Sequence, residues 1–336
     1  MTVILKKPLP SCVPVHLATR DQFPQLVASL PAAQRQWLAT VGFSGAPDTY
    51  ALLADAQGGL QAVWAGVRSA NHPWALSALP RALPAGRYRL ADTGLGEAGL
   101  LADPQAAALS WQLGAYAFSR YKAPRRTAAE LQLPAGDAVR HGLLLAQVVA
   151  HTRDLVNTPA EDMGPEELAE AVKAVAKAHG AKFKQTVGDA LLKANFPAIH
   201  AVGRAATRPP RLIEMTWGSP GLRKDAPKLT LVGKGVCFDT GGVDIKGADG
   251  MRQMKKDMGG AANALGLASL VMALKLNVRL TLLIPAVENA IAGNAYRPGD
   301  VFKTRAGLHI EIGNTDAEGR ESCATRWPMP PKPSPR

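Results

Sequence analysis

From about residue 137 the hydrophobic positions alternate between two spacings. "AVRHGLLLAQVVAHTRDLVN" (138–157) returns its apolar residues at intervals of three and four, which predicts an amphipathic helix halted before Pro159. "GPEELAEAVKAVAKAHG" (164–180) predicts a second, with Pro165 in the first turn, acids at its start and Gly180 as its stop. "RLIEMTWG" (211–218), "KLTLVGKG" (228–235) and "RLTLLIPAVE" (279–288) are short, almost continuous apolar runs of strand length. With the helical "MGGAANALGLASLVMALKL" (258–276) between the last two, they predict an α/β domain whose mixed sheet is mostly buried and flanked by helices.

Before that point the pattern is less regular. Residues 1–125 are rich in Ala, Leu, Gly and Pro and carry short interrupted apolar runs, read here as a smaller, variable α/β domain. "DPQAAALSWQLGAYAFSRY" (103–121) has helical spacing and is expected to close it. Pro124 and Pro134 break any long element there, which predicts a linker at 126–136. The expected division is therefore 1–125, linker 126–136, an α/β domain at 137–320, and a Pro-rich tail at 321–336.

Composition narrows the options. A chain of 336 residues with 47% hydrophobic content can bury a substantial core and has room for two domains. Its N-terminal stretch lacks the pattern of a signal peptide and no run is apolar for the length a membrane span needs, so a cytoplasmic location and no membrane partner are expected. Cys12, Cys237 and Cys323 are scattered, which predicts free thiols. The formal charge of +12 invites a nucleic-acid partner. Its distribution argues against one: the basic residues occur as pairs such as Lys6-Lys7, Arg125-Arg126 and Lys255-Lys256, without a long run or interleaved aromatics.

Two clusters could carry chemistry. In "VGKGVCFDTGGVDIKGADGMRQMKKDMGG" a predicted strand ends at Lys234, and the Gly-rich segment after it bears Asp239 and Lys246, with Asp257 at the mouth of a helix. Loops at the carboxyl ends of strands are where ligands bind in such sheets. The phosphate-cradling motifs G-x-x-x-x-G-K-[ST] and G-x-G-x-x-G are both missing from it. In "NTDAEGR", Asp316, Glu318 and Arg320 alternate after the apparent strand "GLHIEIG", and extended backbone would put them on one side. An oxygen-rich set with several carboxylates suits hard or borderline divalent ions, and shared carboxylates let two ions sit about 3.5–4 Å apart. Any one of these acids alone reads as a cap or a surface residue; the constellation carries the weight.

"VGKGVCFDTGGVDIK", "MKKDMGGAA", "ENAIAGNAYRPGDVF" and "NTDAEGR" resemble, in order and spacing, the signature blocks of the leucyl aminopeptidase (cytosol aminopeptidase) family of dinuclear metallopeptidases. The resemblance runs from about 140 to Arg320. It implies two divalent ions, Mn or Zn, bridged by Asp239 and Glu318, with Lys234 and Asp257 completing the tighter site and Asp316 the more exchangeable one. A ligating lysine must be neutral, because coordination requires a deprotonated ligand. The resemblance further implies that Lys246 acts on the scissile carbonyl or its oxyanion, that Arg320 holds a bicarbonate serving as base, and that Met254 lines the pocket for the first side chain of a peptide substrate. It also implies a homo-oligomer, a hexamer in the full-length form.

The family's arginine leads into an apolar helix, whereas "ESCATRWPMPPKPSPR" has no helical period and five prolines. Read in a shifted frame, Trp327-Pro328 and Met329-Pro330 must each encode Ala, and Arg326-Trp327 must encode Leu, Met or Val. A frameshift after Arg320 is thus expected, with the helix missing from 321 on. The functional expectation is a metal-dependent aminopeptidase acting on N-terminal leucine and other residues. The alternative is a catalytically impaired remnant or binding protein of the same fold, including one that binds DNA.

Overall fold

The computed structural model describes residues 3–5, 9–91, 103–218, 221–223 and 225–324, and it divides into two compact units, Met1–Ala150 and His151–Arg336. The first contains β1 (Val3–Leu5), β2 (Val13–Ala18), α1 (Phe23–Ala28), α2 (Ala32–Thr40), β3 (Tyr50–Ala54), β4 (Leu60–Gly66), α3 (Leu79–Ala82), β5 (Arg87–Leu90), α4 (Pro104–Ala115) and β6 (Glu130–Leu133). Its six strands form one sheet in the order β1-β6-β5-β2-β4-β3. All neighbours are parallel except β3 and β4.

Two expectations change in this unit. The stretch expected to be a linker holds β6, which pairs with both β1 and β5. Leu131 and Leu133 alternate into the core and so recruit the segment into the sheet, and Pro134 ends the strand without preventing it. The helix expected to reach residue 121 stops at Ala115, because Tyr116 turns to extended backbone. The two compact units meet within the sequence of α5 (Asp137–Asn157).

The second unit continues with α6 (Pro165–His179), β7 (Lys182–Val187), α7 (Ala190–Lys193), α8 (Pro197–Gly203), β8 (Arg211–Gly218), β9 (Lys228–Val232), β10 (Gly235–Asp239), α9 (Ala248–Arg252), α10 (Gly259–Ala273), β11 (Arg279–Asn289), β12 (Val301–Lys303), β13 (His309–Glu311) and α11 (Glu318–Ala324). β11 is the organising strand. β8 runs antiparallel along one edge of it with β7 beyond, while β9 and β10 run parallel, one after the other, along its other edge. Alternation along β11 sorts its side chains to two faces. Leu280, Leu282, Ile284 and Ala286 join a core with Leu168 and Val172 of α6 and Leu265 of α10; Val287 joins another with Ile199 and Val202 of α8. Burying each such aliphatic side chain stabilises the fold by about 1.5–3 kcal/mol. The expected mixed sheet flanked by helices is thus what the chain forms.

The register along β11 has one irregularity. Val232 pairs with Leu283, Gly235 with Ala286 and Val236 with Val287; then a bulge at Cys237 shifts the pairing, so that Phe238 meets Glu288 and Asp239 meets Asn289. Among the described residues no helix is long and apolar enough to cross a membrane. At the far end α11 runs to Ala324 with Ser322 buried and Cys323 half-buried, which corrects the expectation that helix is missing from 321. "ESCA" contains nothing that forbids a helical turn; the prolines begin only at Pro328, and the rest of the predicted tail, 325–336, lies outside the described residues.

Candidate metal centre

Lys234 stands where the strand path along β11 is interrupted. Gly233 N–H still donates to Leu283 O (3.0 Å), but the Lys234 carbonyl turns away to accept from Ala261 N–H in the first turn of α10 (2.8 Å). Only glycine permits this approach. A Cβ on Gly233 would lie 2.6 Å from Ala261 Cα, and one on Gly260 3.0 Å from Lys234 N. The strand predicted to end at Lys234 therefore resumes at Gly235, and the interruption lifts the lysine toward two acids. Its Nζ lies 2.9 Å from Asp257 Oδ2 and 2.8 Å from Glu318 Oε1. A Cβ on Gly319 would fall 2.9 Å from Lys234 Cε, so this glycine clears the path of the lysine stem.

Asp239 ends β10. Its Oδ1 accepts from Gly241 N–H and from Asn289 Nδ2, both at 2.9 Å, while its Oδ2 faces Lys246 Nζ at 2.9 Å. The loop from Thr240 to Lys246 is latched to Thr315. Thr315 Oγ1 donates to Gly241 O (2.7 Å) and accepts from Asp244 N–H (3.0 Å), and Thr315 N–H donates to Asp244 Oδ2 (2.8 Å). Gly241 and Gly242 have φ of 89° and 67°, the left-handed backbone this turn requires.

Asp316 and Glu318 do not sit on extended backbone, as their alternation suggested. Asn314 Oδ1 accepts from Asp316 N–H (2.7 Å) and starts a 3-10 turn, Thr315–Ala317, that leads directly into α11. An N-terminal cap competes successfully with strand propensity here. The turn still brings the two acids together. Ligand atoms of Asp239, Asp316 and Glu318 all lie within 4.8 Å of one another, and Lys246 Nζ pairs with Asp316 as well as Asp239. Asp257 belongs to another 3-10 turn, Met254–Met258, which Lys255 pins by donating from Nζ to Asn157 O (2.7 Å).

The electrostatics of this cluster are unusual for a structural ion-pair network. Glu318 is 1% exposed, yet neither of its carboxylate oxygens receives a well-directed hydrogen bond, and Asp257 Oδ2 shares that condition. Lys234 Nζ, 2.8 Å from Glu318 Oε1 and 2.9 Å from Asp257 Oδ2, is one ammonium shared between two acids. Burial pushes the Glu318 carboxyl up to about 7; Lys234 opposes this and the Asp239 charge adds to it. Burial pulls the Lys234 ammonium down, but Glu318 and Asp257 outweigh it, leaving its pKa above the ordinary value. Lys246 is likewise raised, with burial opposed by Asp316 and Asp239. Buried carboxylate oxygens without donors are costly unless a cation neutralises them. The donor set, several carboxylates and an amine around one small volume, fits divalent ions.

Six of the eight residues singled out from the sequence are thus linked: Lys234, Asp239, Lys246, Asp257, Asp316 and Glu318. Met254 opens the 3-10 turn that carries Asp257 and is half-buried; Arg320 is exposed on α11, and among the described residues no ion pair joins it to the cluster. Sequence reasoning gave no part to Asp244, Asn289, Tyr296, Thr315 or Gly319. Asn289 had a signal of its own, as a polar residue ending the apolar run "RLTLLIPAVEN" inside a block that carried the resemblance.

Known proteins give the arrangement a context. The model of the cytosol aminopeptidase family catalytic domain matches residues 150–322, and that of the M17 aminopeptidase N-terminal domain matches residues 13–134. The chain belongs to the cytosol aminopeptidase family. It is 39% identical over 221 residues to the probable cytosol aminopeptidase of Mycobacterium marinum, covering 62% of this chain and 43% of that protein. The probable cytosol aminopeptidase of Aquifex aeolicus is 39% identical over 218 residues, covering 63% and 44%. The chain therefore spans less than half the length of these curated relatives. Among solved structures, the cytosol aminopeptidase from Coxiella burnetii superposes with a TM-score of 0.87 at 45% identity, over 96% of this chain and 69% of that one. The bottromycin maturation enzyme BotP in complex with Mn gives 0.76 at 30% identity, over 93% and 67%.

Proposed function

We propose that this chain carries the dinuclear centre of a metal-dependent aminopeptidase that removes leucine and other N-terminal residues from peptides. The observation that carries the reading is the convergence of Asp239, Asp316 and Glu318 on one volume, with the buried Glu318 carboxylate sharing the Lys234 ammonium with Asp257. Asp239 and Glu318 would be shared between two ions, Mn or Zn; Lys234 and Asp257 would complete the tighter position and Asp316 the exchangeable one. When bound, such a pair supplies Lewis acidity and an activated water near neutral pH.

The protein's own groups then have distinct tasks. Lys246 keeps its charge and faces the developing oxyanion of the scissile carbonyl. Arg320, exposed on α11, would hold a bicarbonate, which would supply a general base when bound. Met254 borders the pocket for the substrate's first side chain. The substrate's free α-amine directs the cut to the terminal residue. The hexamer and the cytoplasmic compartment that the family resemblance implies are extended here to this protein.

The test uses the 336-residue chain, freed of metal with EDTA and dialysed. Adding Mn or Zn salts should restore release of chromophore from a leucyl amide, in step with metal bound by calorimetry. Absence of divalent-ion binding would remove the metal centre. Binding without hydrolysis would keep the centre and withdraw the peptidase, favouring the impaired remnant.

A further inference from the structure

We infer that Asn289 is the positioning residue that reserves one oxygen of Asp239 for the cation face and locks Asp239 to the turn bearing Asp316 and Glu318. The inference deepens the metal-centre reading and rests on it. Asn289 is the last residue of β11 and the register partner of Asp239 at the end of β10, so the two side chains leave the sheet on the same side. It is 1% exposed. Its Nδ2 lies 2.9 Å from Asp239 Oδ1 and 3.0 Å from Thr315 O. Both of these atoms can only accept when Asp239 is ionised, which fixes the orientation of the amide and commits both of its N–H groups.

The consequence for Asp239 is a division between its oxygens. Oδ1 takes Asn289 Nδ2 and Gly241 N–H, leaving Oδ2 as the oxygen turned to the cluster, where Lys246 Nζ stands. Rotating the carboxylate would break both Oδ1 bonds. The consequence for the turn is just as direct. Thr315 O is held by Asn289 and also by the Tyr296 hydroxyl (2.7 Å), and Thr315 immediately precedes Asp316 and opens the turn that leads into Glu318. One amide therefore sets the spacing of three carboxylates.

A plainer role, satisfying buried groups at a strand end, accounts for less. The Asn289 carbonyl is already taken by Thr240, from its N–H at 3.0 Å and its hydroxyl at 2.8 Å. Gly241 and Tyr296 would each leave their acceptor satisfied if Asn289 were lost. What Asn289 provides is a buried link running directly from Asp239 Oδ1 to Thr315 O, beside the latch of Thr315 to Gly241 and the Lys246 bridge from Asp239 to Asp316. Its own Oδ1 is buried with no hydrogen-bond partner, a feature tolerated where geometry is worth more than stability.

The experiment uses the full chain and Mn²⁺ alone. Asn289→Leu keeps the branched shape and removes both donors, Asn289→Ala removes the side chain, and Asn289→Ser keeps one donor. Leu and Ala should each weaken Mn²⁺ binding by about 10–100-fold, the usual effect of losing a group that orients a metal ligand, with Ser between them and the wild type. Melting temperatures in EDTA should change far less than the Mn²⁺-induced increase. Wild-type affinity in Asn289→Leu, or a loss in Ala that Leu restores, would reduce Asn289 to packing and overturn the inference. Failure of all three to fold in EDTA would also overturn it, by making the residue structural. If the unsubstituted chain binds no Mn²⁺, it is the metal-centre reading that has failed.

Discussion

Both units contain a pair of neighbouring parallel strands whose last residues are register partners. In the first unit the pair is Ala18 and Gly66; in the second it is Asp239 and Asn289. The environments beyond those ends differ completely. A Cβ on Gly66 would come within 1.9 Å of Ala46 O, so the backbone of the unit itself closes that end. Beyond Asp239 and Asn289 the chain instead gathers carboxylates and lysines. Parallel strands offer the same kind of ledge in each unit, and the residue at the strand end decides whether it is sealed by packing or holds chemistry.

The largest expected effect tests the second ledge. Glu318→Gln keeps the shape and removes the charge, and should weaken divalent-ion binding by more than about 100-fold, beyond what losing an orienting neighbour does. Calorimetry with Mn²⁺ reads it directly. Lys246→Ala should keep the bound metal and lower kcat by about 100-fold, the scale of losing one oxyanion donor. Metal loss with kcat per filled site unchanged would reverse the roles of Lys246 and Lys234.

Gly66→Ala tests the sealed ledge. The added methyl has no room against backbone, so stability should fall by about 1–3 kcal/mol, seen in urea melts, while Mn²⁺ affinity stays at the wild-type value. A parallel fall in metal binding would break the contrast between the units. The smallest effect is a pH dependence in the first unit. His16 stacks on Trp64 with centroids 4.9 Å apart, and burial, with Arg89 adding, holds its pKa below the ordinary value. Its neutral form is favoured in the fold, so its contribution is complete above about pH 6.5, the unfolded value, and is lost as pH falls toward the lower folded pKa. His16→Phe should flatten that part of the melting-temperature profile.

The strands 211–218 and 279–289 and the helix 165–179 were legible because apolar periodicity is written locally. β6 was not, since four residues beside a proline look like a linker until β1 and β5 are in place on either side. In the site, the charged residues stood out by type and by motif. Their geometry did not: the Asn314 cap turned an apparent strand continuation into a helical start, and Gly319 matters only through the stem of Lys234, eighty-five positions earlier by 319 minus 234. Local sequence carries no record of such distant clearances.

The bulge at Cys237 makes the centre depend on the parity of residue counting. Upstream of it each residue of this edge pairs with the one 51 positions later, as 235 with 286; downstream the offset is 50, as 239 with 289. With the first offset continued, position 239 would meet Ala290, and its side chain would leave from the opposite face of the sheet. The thiol itself is dispensable to this count, because it is the skipping of that position by the ladder that sets the phase. Another small buried residue at 237 should therefore serve as well as cysteine, and deleting the position would remove the bulge yet leave Asp239 opposite Asn289; the pairing is lost only if residue 237 is kept and the ladder runs through it without a bulge.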